Sequence, residues 1–335
     1  MKSGYILVLS VALVFALFLL NIFHGAVEIS PVDTLRVLTG QESDAMASSI
    51  ILSTRLPQAC VACLAGAALA ISGLMLQTLF ANPLADASIL GIHSGAGLGA
   101  ALVIMATGGM AISAMSGYAL LLMAALTGAV AVMILLLAFS AKVSGNVLLL
   151  VIGVMVSYVI SSMISLLSYV TTADSLQNYF LWGMGSVSNV SLSRLPVFAV
   201  LVLVGLLAAL LQAKALNAML MGDHYANNVG ISLRRTRTAV LLVVGVLSAI
   251  VVAFCGPIAF IGLAVPHMAR MIVGTENHLI LMPVTLLMGA AMALICNFFT
   301  TFAVVGILIP VNVITPFFGV PVIFYILWKK PLYRR

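Results

Sequence analysis

The residue types that most often do chemistry are sparse in this sequence. Cys60 and Cys63 form a CxxC pair, which would share one face of a helix and suit a metal or redox site. The pair lies inside a long apolar run with no second CxxC and no nearby histidine, which favours two small apolar side chains in a helix. For His267 and His278, the other candidate pair, a packing or capping role is favoured over a metal site.

Motifs typical of enzymes and nucleotide-binding proteins are missing from the sequence. It contains no HExxH zinc motif, no GxSxG nucleophile elbow and no Walker-type phosphate loop. The glycine cluster at residues 95–99 superficially resembles a phosphate loop, but it lacks the Lys-Ser/Thr ending and follows no predicted strand. We therefore expect no catalytic residues, cofactor or metal ion, and any ATP must be bound by another chain.

The composition indicates which environment surrounds the chain. Of the 335 residues, 64% are apolar and only 7% are charged, and the mean hydropathy is +1.28. A soluble domain carries about 25% charged residues, so most of this surface must face membrane lipid. The net charge of +6 would suggest a nucleic-acid partner in a soluble protein. In a membrane protein cationic residues collect in cytoplasmic loops instead, so we expect no nucleic acid.

Ten apolar runs are candidates for membrane-spanning helices, since one span takes about 20 residues. They are residues 5–23, 56–79, 91–107, 117–139, 147–167, 195–211, 238–254, 258–273, 283–305 and 311–328. No polar stretch between them is long enough for a separate domain. The sequence thus predicts an all-α membrane protein with about ten transmembrane helices, in which residues 1–335 form a single transmembrane domain.

The charged residues indicate an orientation and a source of energy. With both termini in the cytoplasm, eleven of the 14 Lys and Arg residues fall inside, and only Arg36, Arg55 and Arg194 fall outside. Almost no ionisable residue lies in the middle of a run, whereas ion-coupled carriers generally need one at mid-depth. This pattern favours a pathway with apolar and weakly polar walls that is driven by another chain.

Residues 215–230, between the sixth and seventh runs, differ from the other internal connections. The segment is too short and too polar to span a membrane, and Lys and Arg residues flank it. Leu216, Met219 and Leu220, at positions i, i+3 and i+4, can form one apolar face of a helix. Gly222 and Gly230 can end short helices. The segment is either a compact cytosolic handle for a soluble partner or a helix on the membrane surface.

Short motifs interrupt the runs at recognisable places. They are Arg55-Leu56-Pro57, Gly66 to Gly73, Gln77, Asn82-Pro83-Leu84-Ala85-Asp86, Gly91 to Ala96, Trp182 to Ser186, Gly256-Pro257-Ile258, Gly262-Leu263, Pro266-His267, Arg270 and Ile309-Pro310-Val311. In this order, over nearly the whole chain, they resemble the FecCD family of permeases. These are the membrane subunits of type II ABC importers for iron–siderophore complexes, haem and cobalamin.

The resemblance implies a type II ABC importer permease fold of ten transmembrane helices, acting as a dimer in the bacterial cytoplasmic (inner) membrane. It implies two ABC ATPase subunits, a second permease subunit, identical or sister, and an extracytoplasmic substrate-binding protein as partners. The ATPase coupling element at residues 215–230 is expected to include Leu216, Asn217, Leu220, Gly222, Ala226 and Gly230. The cytoplasmic gate is expected at Asn82, Pro83, Leu84, Gly145 and Asn146. Arg55 is expected to pair with a carboxylate of the binding protein, with a headgroup anchor as the alternative.

Several positions depart from the family pattern. Charged residues common in relatives are replaced by Gln58, Asn297, Thr301 and Leu308, and a common Gly is replaced by Asn312. The external charges are therefore depleted. Either a sister permease supplies them in a heterodimer, or a homodimer docks through other contacts.

The sequence accordingly predicts a transport subunit rather than an enzyme. Its expected cargo is a ferric chelate, foremost an iron–siderophore complex, which passes from the binding protein to the cytoplasm. Haem and cobalamin are the alternative cargoes. An ion-coupled secondary transporter and a membrane-embedded enzyme are the remote alternatives.

Overall fold

The computed structural model describes residues 2–41, 44–107, 115–142, 146–304 and 307–328. These residues are almost entirely helical, apart from a hairpin in which β1 (Ala303–Val304) pairs antiparallel with β2 (Ile307–Leu308). The helices are α1 (Lys2–Phe23), α2 (Pro31–Leu38), α3 (Ala45–Ile50), α4 (Leu56–Leu79), α5 (Ile92–Ala106), α6 (Met115–Lys142), α7 (Asn146–Val170), α8 (Ala173–Gly183), α9 (Leu195–Leu211), α10 (Ala213–Leu220), α11 (Asp223–Asn228), α12 (Leu233–Cys255), α13 (Ile261–Val273), α14 (His278–Thr300) and α15 (Val311–Trp328). A π-helix, Ile51–Arg55, joins α3 to α4, and a 3₁₀ helix, Val187–Asn189, follows α8.

A helix occupies each of the ten predicted apolar runs. Within the described residues, six helices are long and apolar enough to cross a membrane: α1, α4, α6, α7, α12 and α14. The helices α9 and α10 meet at a bend of 43° and together qualify as a seventh span. The remaining three, α5, α13 and α15, are shorter apolar helices.

Several helices begin a few residues away from the edge of their apolar run, and for two of them the structure shows why. The helix α14 begins at His278 rather than at residue 283, because the side chain of Asn277 caps it by accepting from Leu279 N at 3.0 Å. The helix α13 begins at Ile261 rather than at residue 258. Phe260 precedes it with φ +69°, a left-handed conformation that interrupts the helix.

The centre of the bundle is α4, which is buried along nearly its whole length. Its glycines permit this packing. A Cβ at Gly66 would collide with the carbonyl oxygen of Gly289 on α14, and a Cβ at Gly73 would collide with that of Gly262 on α13. Apolar burial does not drive helix association in lipid, so close backbone contacts of this kind hold the helices together.

The peripheral helix α1 is tied to α14 by a buried pair of amides. Asn297 Nδ2 donates to Asn21 Oδ1 at 2.8 Å, and Asn21 Nδ2 donates to the carbonyl oxygens of Leu17 and Leu294 at 2.8 and 3.1 Å. Both asparagines are about 95% buried. Asn297, one of the departures from the family pattern, therefore has an internal partner.

Candidate functional site

The segment between α9 and α12 folds as two short helices joined by a tight turn. Gly222 N donates to Met219 O at 3.1 Å, and Gly222 has φ +97° and ψ 158°, a conformation open essentially only to glycine. After α11, Gly230 has φ +82° and its N–H donates to Asn227 O at 3.0 Å. A Cβ at either glycine would meet open space, so conformation rather than crowding requires glycine. The compact helix–turn–helix that the sequence predicts is present.

The side chains of this segment divide between protein and solvent. Leu216 and Ala226 are fully buried against the rest of the chain, so they hold the element in place rather than form its outer face. The exposed apolar face consists of Leu220, Met221, Tyr225 and Val229, which are between 38% and 69% exposed. Of these four, sequence reasoning identified only Leu220. Met221 is the C-cap residue of α10 and Tyr225 lies on α11, beyond the turn at Gly222, so no single helical spacing in the sequence connects them.

Asn217 points into the protein, towards the start of α14. Its Nδ2 donates to Asn277 Oδ1 at 2.8 Å, and its Oδ1 accepts from His278 N at 2.7 Å. The ring Nδ1 of His278 lies 2.9 Å from the same oxygen, and its Nε2 lies 2.8 Å from Thr78 Oγ1 near the end of α4. Asn217 therefore connects the segment directly to α14 and, through His278, to α4. His278 has the structural role that the sequence favoured.

The predicted gate residues Asn82, Pro83 and Leu84 form the turn that follows α4. The side-chain oxygen of Asn82 accepts from Leu84 N at 2.9 Å, which closes an Asx-type turn. His267 on α13 donates through Nε2 to Pro83 O at 2.7 Å. The turn at residues 82–84, the predicted gate loop, is therefore held by a polar contact from α13. His267, like His278, has a protein partner.

A second polar contact joins α13 to the end of α4. Arg270 Nη1 donates to Gln77 Oε1 at 2.6 Å, and Arg270 Nε donates to Glu276 Oε2 at 3.0 Å. Gln77 Nε2 in turn donates to Leu263 O at 3.2 Å. Gln77 and Arg270 both belong to the short motifs of the sequence, and the structure brings them together.

The second predicted gate segment is only partly described. Gly145 lies outside the described residues, and Asn146 is the first residue of α7. The gate role of both residues stays a prediction.

Arg55 is 5% exposed at the junction of the π-helix and α4. Its Nη1 donates to Ile22 O at 2.9 Å and to Phe23 O at 3.1 Å, and its Nη2 donates to Val27 O. The first two carbonyls end α1, where no further turn of helix can satisfy them and where the helix dipole favours a cation. The structure thus makes Arg55 the cap of α1, which differs from the expected exposed docking arginine. Its docking role stays a prediction.

Asn312, another departure from the family pattern, joins three segments that sequence reasoning did not connect. Its Nδ2 donates to Pro257 O at 2.7 Å and to Gly183 O at 3.2 Å. Its Oδ1 accepts from Ala259 N at 3.1 Å. The side chain therefore links the start of α15 to the end of α8 and to the break before α13.

Comparison with known proteins places this helical chain among membrane transporters. The model of the FecCD transport family matches residues 13–329. The chain belongs to the FecCD transport family. This FecCD chain is 35% identical over 282 residues to the hemin transport system permease protein HmuU of Yersinia pestis, covering 83% of the chain and 82% of the relative. It is 33% identical over 298 residues to the vitamin B12 import system permease protein BtuC of Serratia proteamaculans, covering 86% and 84%.

A solved structure shows the same fold. It is described as an inward-facing conformation of a metal-chelate type ABC transporter, and it matches with a TM-score of 0.85 at 28% identity, covering 98% of this chain and 100% of that chain. The predicted type II ABC importer permease fold is confirmed. Because its relatives are permease subunits of ABC transporters, this FecCD chain is a transport subunit and not an enzyme.

Membership of the FecCD family also defines the setting in general terms. An ABC importer permease works with ATPase subunits and with a substrate-binding protein. The long apolar helices and the permease relatives make this FecCD chain a multi-pass protein of the inner membrane.

Proposed function

We propose that this FecCD permease passes a ferric chelate, foremost an iron–siderophore complex, from a substrate-binding protein into the cytoplasm. The observation that carries the proposal is the likeness to a metal-chelate type transporter over 98% of the chain, with a TM-score of 0.85. The relative named for hemin transport, at 35% identity, makes haem the second candidate. The relative named for vitamin B12 import keeps cobalamin as a third.

The proposed working unit is a pair of permease subunits, identical or sister, on two ABC ATPase subunits. Each permease is one transmembrane domain over residues 1–335, with both termini in the cytoplasm. The charge distribution supports this orientation. Lys142 ends α6, Lys214 lies in α10 and Arg235 lies in the first turn of α12. These cations therefore share one end of a bundle whose successive spans run in opposite directions.

The proposed docking site for an ATPase subunit is the coupling element at residues 215–230. Its exposed apolar face lies at the cationic end of the bundle, on the segment that connects α9 to α12. An exposed apolar patch with a polar rim is typical of a protein interface. We assign contact with the ATPase to Leu220, Met221, Tyr225 and Val229, and shaping of the element to Leu216, Asn217, Gly222, Ala226 and Gly230.

The proposed cytoplasmic gate is the loop at Asn82, Pro83 and Leu84, with Gly145 and Asn146 as its second part. Leu84 is exposed while the neighbouring Asp86 is buried and accepts from Ser88 Oγ at 2.7 Å. The loop therefore presents an apolar side chain from a rigid polar base, which suits a barrier to water and to a polar cargo.

Transport by the reconstituted complex tests the cargo. The permease, its ATPase and its binding protein are placed in proteoliposomes, and ATP-dependent uptake is measured for ferric hydroxamate and catecholate siderophores, haem and cobalamin. We expect uptake of a ferric siderophore. Uptake of cobalamin alone would refute the ferric-chelate assignment, and uptake of haem alone would replace the siderophore with the second candidate.

Copurification tests the coupling element. Tyr225→Glu places a charge in the exposed apolar face, and Asn227→Asp places a charge on an exposed residue of the same helix, two positions away and therefore outside that face. Truncating a central interface residue costs about 2 kcal/mol or more, or about 30-fold in affinity. We expect Tyr225→Glu to lose the ATPase during purification and Asn227→Asp to retain it. Full retention by Tyr225→Glu would contradict the docking assignment.

A further inference from the structure

A hydrogen-bonded chain connects the coupling element to the end of α4. It runs from Asn217 on α10 through His278 at the start of α14 to Thr78 on α4, over distances of 2.7 to 2.9 Å. His278 is completely buried and Thr78 is more than nine-tenths buried. The three residues are separated by 61 and 200 positions in sequence, so only the packing of three helices brings them together.

One backbone group determines the donors and acceptors of this chain. His278 N–H can only donate, so the Asn217 atom that faces it is the amide oxygen. That oxygen cannot donate to the ring, so Nδ1 of His278 carries a proton and donates. In the neutral imidazole Nε2 then accepts from the hydroxyl of Thr78, whose one proton is shared between Nε2 at 2.8 Å and the carbonyl oxygen of Leu74 at 3.0 Å. A buried network with its polar groups satisfied is rigid, because any displacement leaves groups unpaired.

The hydrogen-bonded chain ends at Thr78, whose backbone contacts the residues that lead into the gate loop. Ala81 N donates to Thr78 O at 3.2 Å, and Asn82 N donates to Gln77 O at 3.1 Å. Ala81 has φ +45°, a conformation that a residue with a side chain rarely adopts and that its surroundings must hold. His267 on α13 holds the loop at Pro83. The residues before Pro83 are hydrogen-bonded to the end of α4, so the position of that helix end determines where the loop begins.

We propose that His278 is a positioning residue that makes α10, the start of α14 and the end of α4 move as one body. An ATPase that displaces the coupling element then displaces the gate loop through hydrogen bonds rather than through apolar packing alone. This inference rests on the proposed roles of the coupling element and of the gate loop. It assigns neither contact with the ATPase nor contact with cargo to His278, Asn217 or Thr78.

The test compares two buried threonines. Thr78→Val removes the hydroxyl that bonds His278, whereas Thr285→Val on α14 removes a buried hydroxyl that has no hydrogen-bond partner among the described residues. The readout is cargo imported per ATP hydrolysed by the complete complex in proteoliposomes. We expect Thr78→Val to lower this ratio by about 2- to 10-fold, the loss of one hydrogen bond, with the ATPase still bound. Thr285→Val should leave this ratio at the wild-type value. Thr78→Ser, which retains the hydroxyl, should also give the wild-type ratio.

A double-mutant cycle adds a second measurement. If Asn217→Ala and Thr78→Val interrupt the same hydrogen-bonded chain, each lowers the amount of cargo imported per ATP. The double variant then imports no less per ATP than the more impaired single variant. Additive losses would overturn the proposal, as would an unchanged ratio in Thr78→Val or an equal loss in Thr285→Val.

Loss of the bound ATPase in Thr78→Val would also overturn the proposal, because the chain would then merely shape the docking surface. A different measurement shows whether the proposed role of the coupling element itself is wrong. In that case Tyr225→Glu retains the ATPase, whatever the ratio measured for Thr78→Val.

Discussion

Replacing Arg55 distinguishes a helix cap from a docking residue. Arg55→Ala removes three hydrogen bonds from a guanidinium group to the carbonyls of Ile22, Phe23 and Val27. A hydrogen bond to a charged group is worth about 1.5–3 kcal/mol, and the cost of burying the cation offsets part of the total. We expect a net loss of about 2–4 kcal/mol in the free energy of unfolding. At about 2 °C per kcal/mol for a long chain, Tm should fall by about 4–8 °C.

The conservative variant Arg55→Lys separates the two roles more sharply. An ammonium group keeps the charge but cannot reach several carbonyls from one planar fork. If Arg55 caps α1, Arg55→Lys should therefore lower the Tm of the permease nearly as much as Arg55→Ala does. A docking pair predicts that the lysine variant keeps most of the affinity for the binding protein. Thermal unfolding of the purified permease and titration with the binding protein at low salt measure both quantities.

Gly25 provides an independent way to disturb the cap. A Cβ at Gly25 would lie 2.6 Å from Arg55 Nε, so Gly25→Ala should displace the guanidinium and lower Tm although every charge remains. Arg36→Ala is the matched control, because Arg36 is half exposed and its pair with Asp33 at 3.2 Å is worth about 0–1 kcal/mol. The opposite result is an unchanged Tm in Arg55→Ala, with an affinity for the binding protein that is lower by about 5- to 150-fold. That result would refute the role of Arg55 as a helix cap and support its role in docking.

Two further predictions concern the coupling turn and the orientation. Gly222→Val forces a β-branched residue into φ +97°, at a cost of about 1–3 kcal/mol, and should weaken copurification of the ATPase or uncouple ATP hydrolysis from uptake. The control Gly4→Val also points into open space and should change neither copurification nor coupling. A Gly222→Val complex that binds the ATPase and transports normally would contradict this role. In a variant that lacks the four native cysteines, Asp44→Cys should react with a membrane-impermeant thiol reagent from outside the cell, and Lys142→Cys should react only from inside. Reaction of Asp44→Cys only from the cytosol would contradict the proposed orientation.

The predicted architecture followed from local features of the sequence. Each of the ten apolar runs became a helix because a long apolar run satisfies its backbone in lipid only as a helix. The helix–turn–helix at residues 215–230 was also predictable, since Gly222 and Gly230 are residues that reverse a helix at low cost. The short motifs indicated the FecCD family through their order along the chain.

Helix ends were less predictable than helix positions. The start of α14 depends on the Asn277 cap, and the start of α13 depends on the backbone of Phe260, and neither feature changes the local hydropathy. A cap or a left-handed residue acts through one or two backbone groups, so an average over an apolar run does not detect it.

The side-chain partners were decided by the tertiary structure alone. The sequence did not show which groups Arg55 contacts, and the packing of the helices places it beside the end of α1, whose carbonyls need a donor. His278 could have joined His267 in a metal site, but α10 and α4 supply partners for both of its ring nitrogens. The sequence by itself determined which segments are helices and the family to which they belong. Which polar side chains meet depended on the order in which the helices pack, because each contact joins residues far apart in the chain.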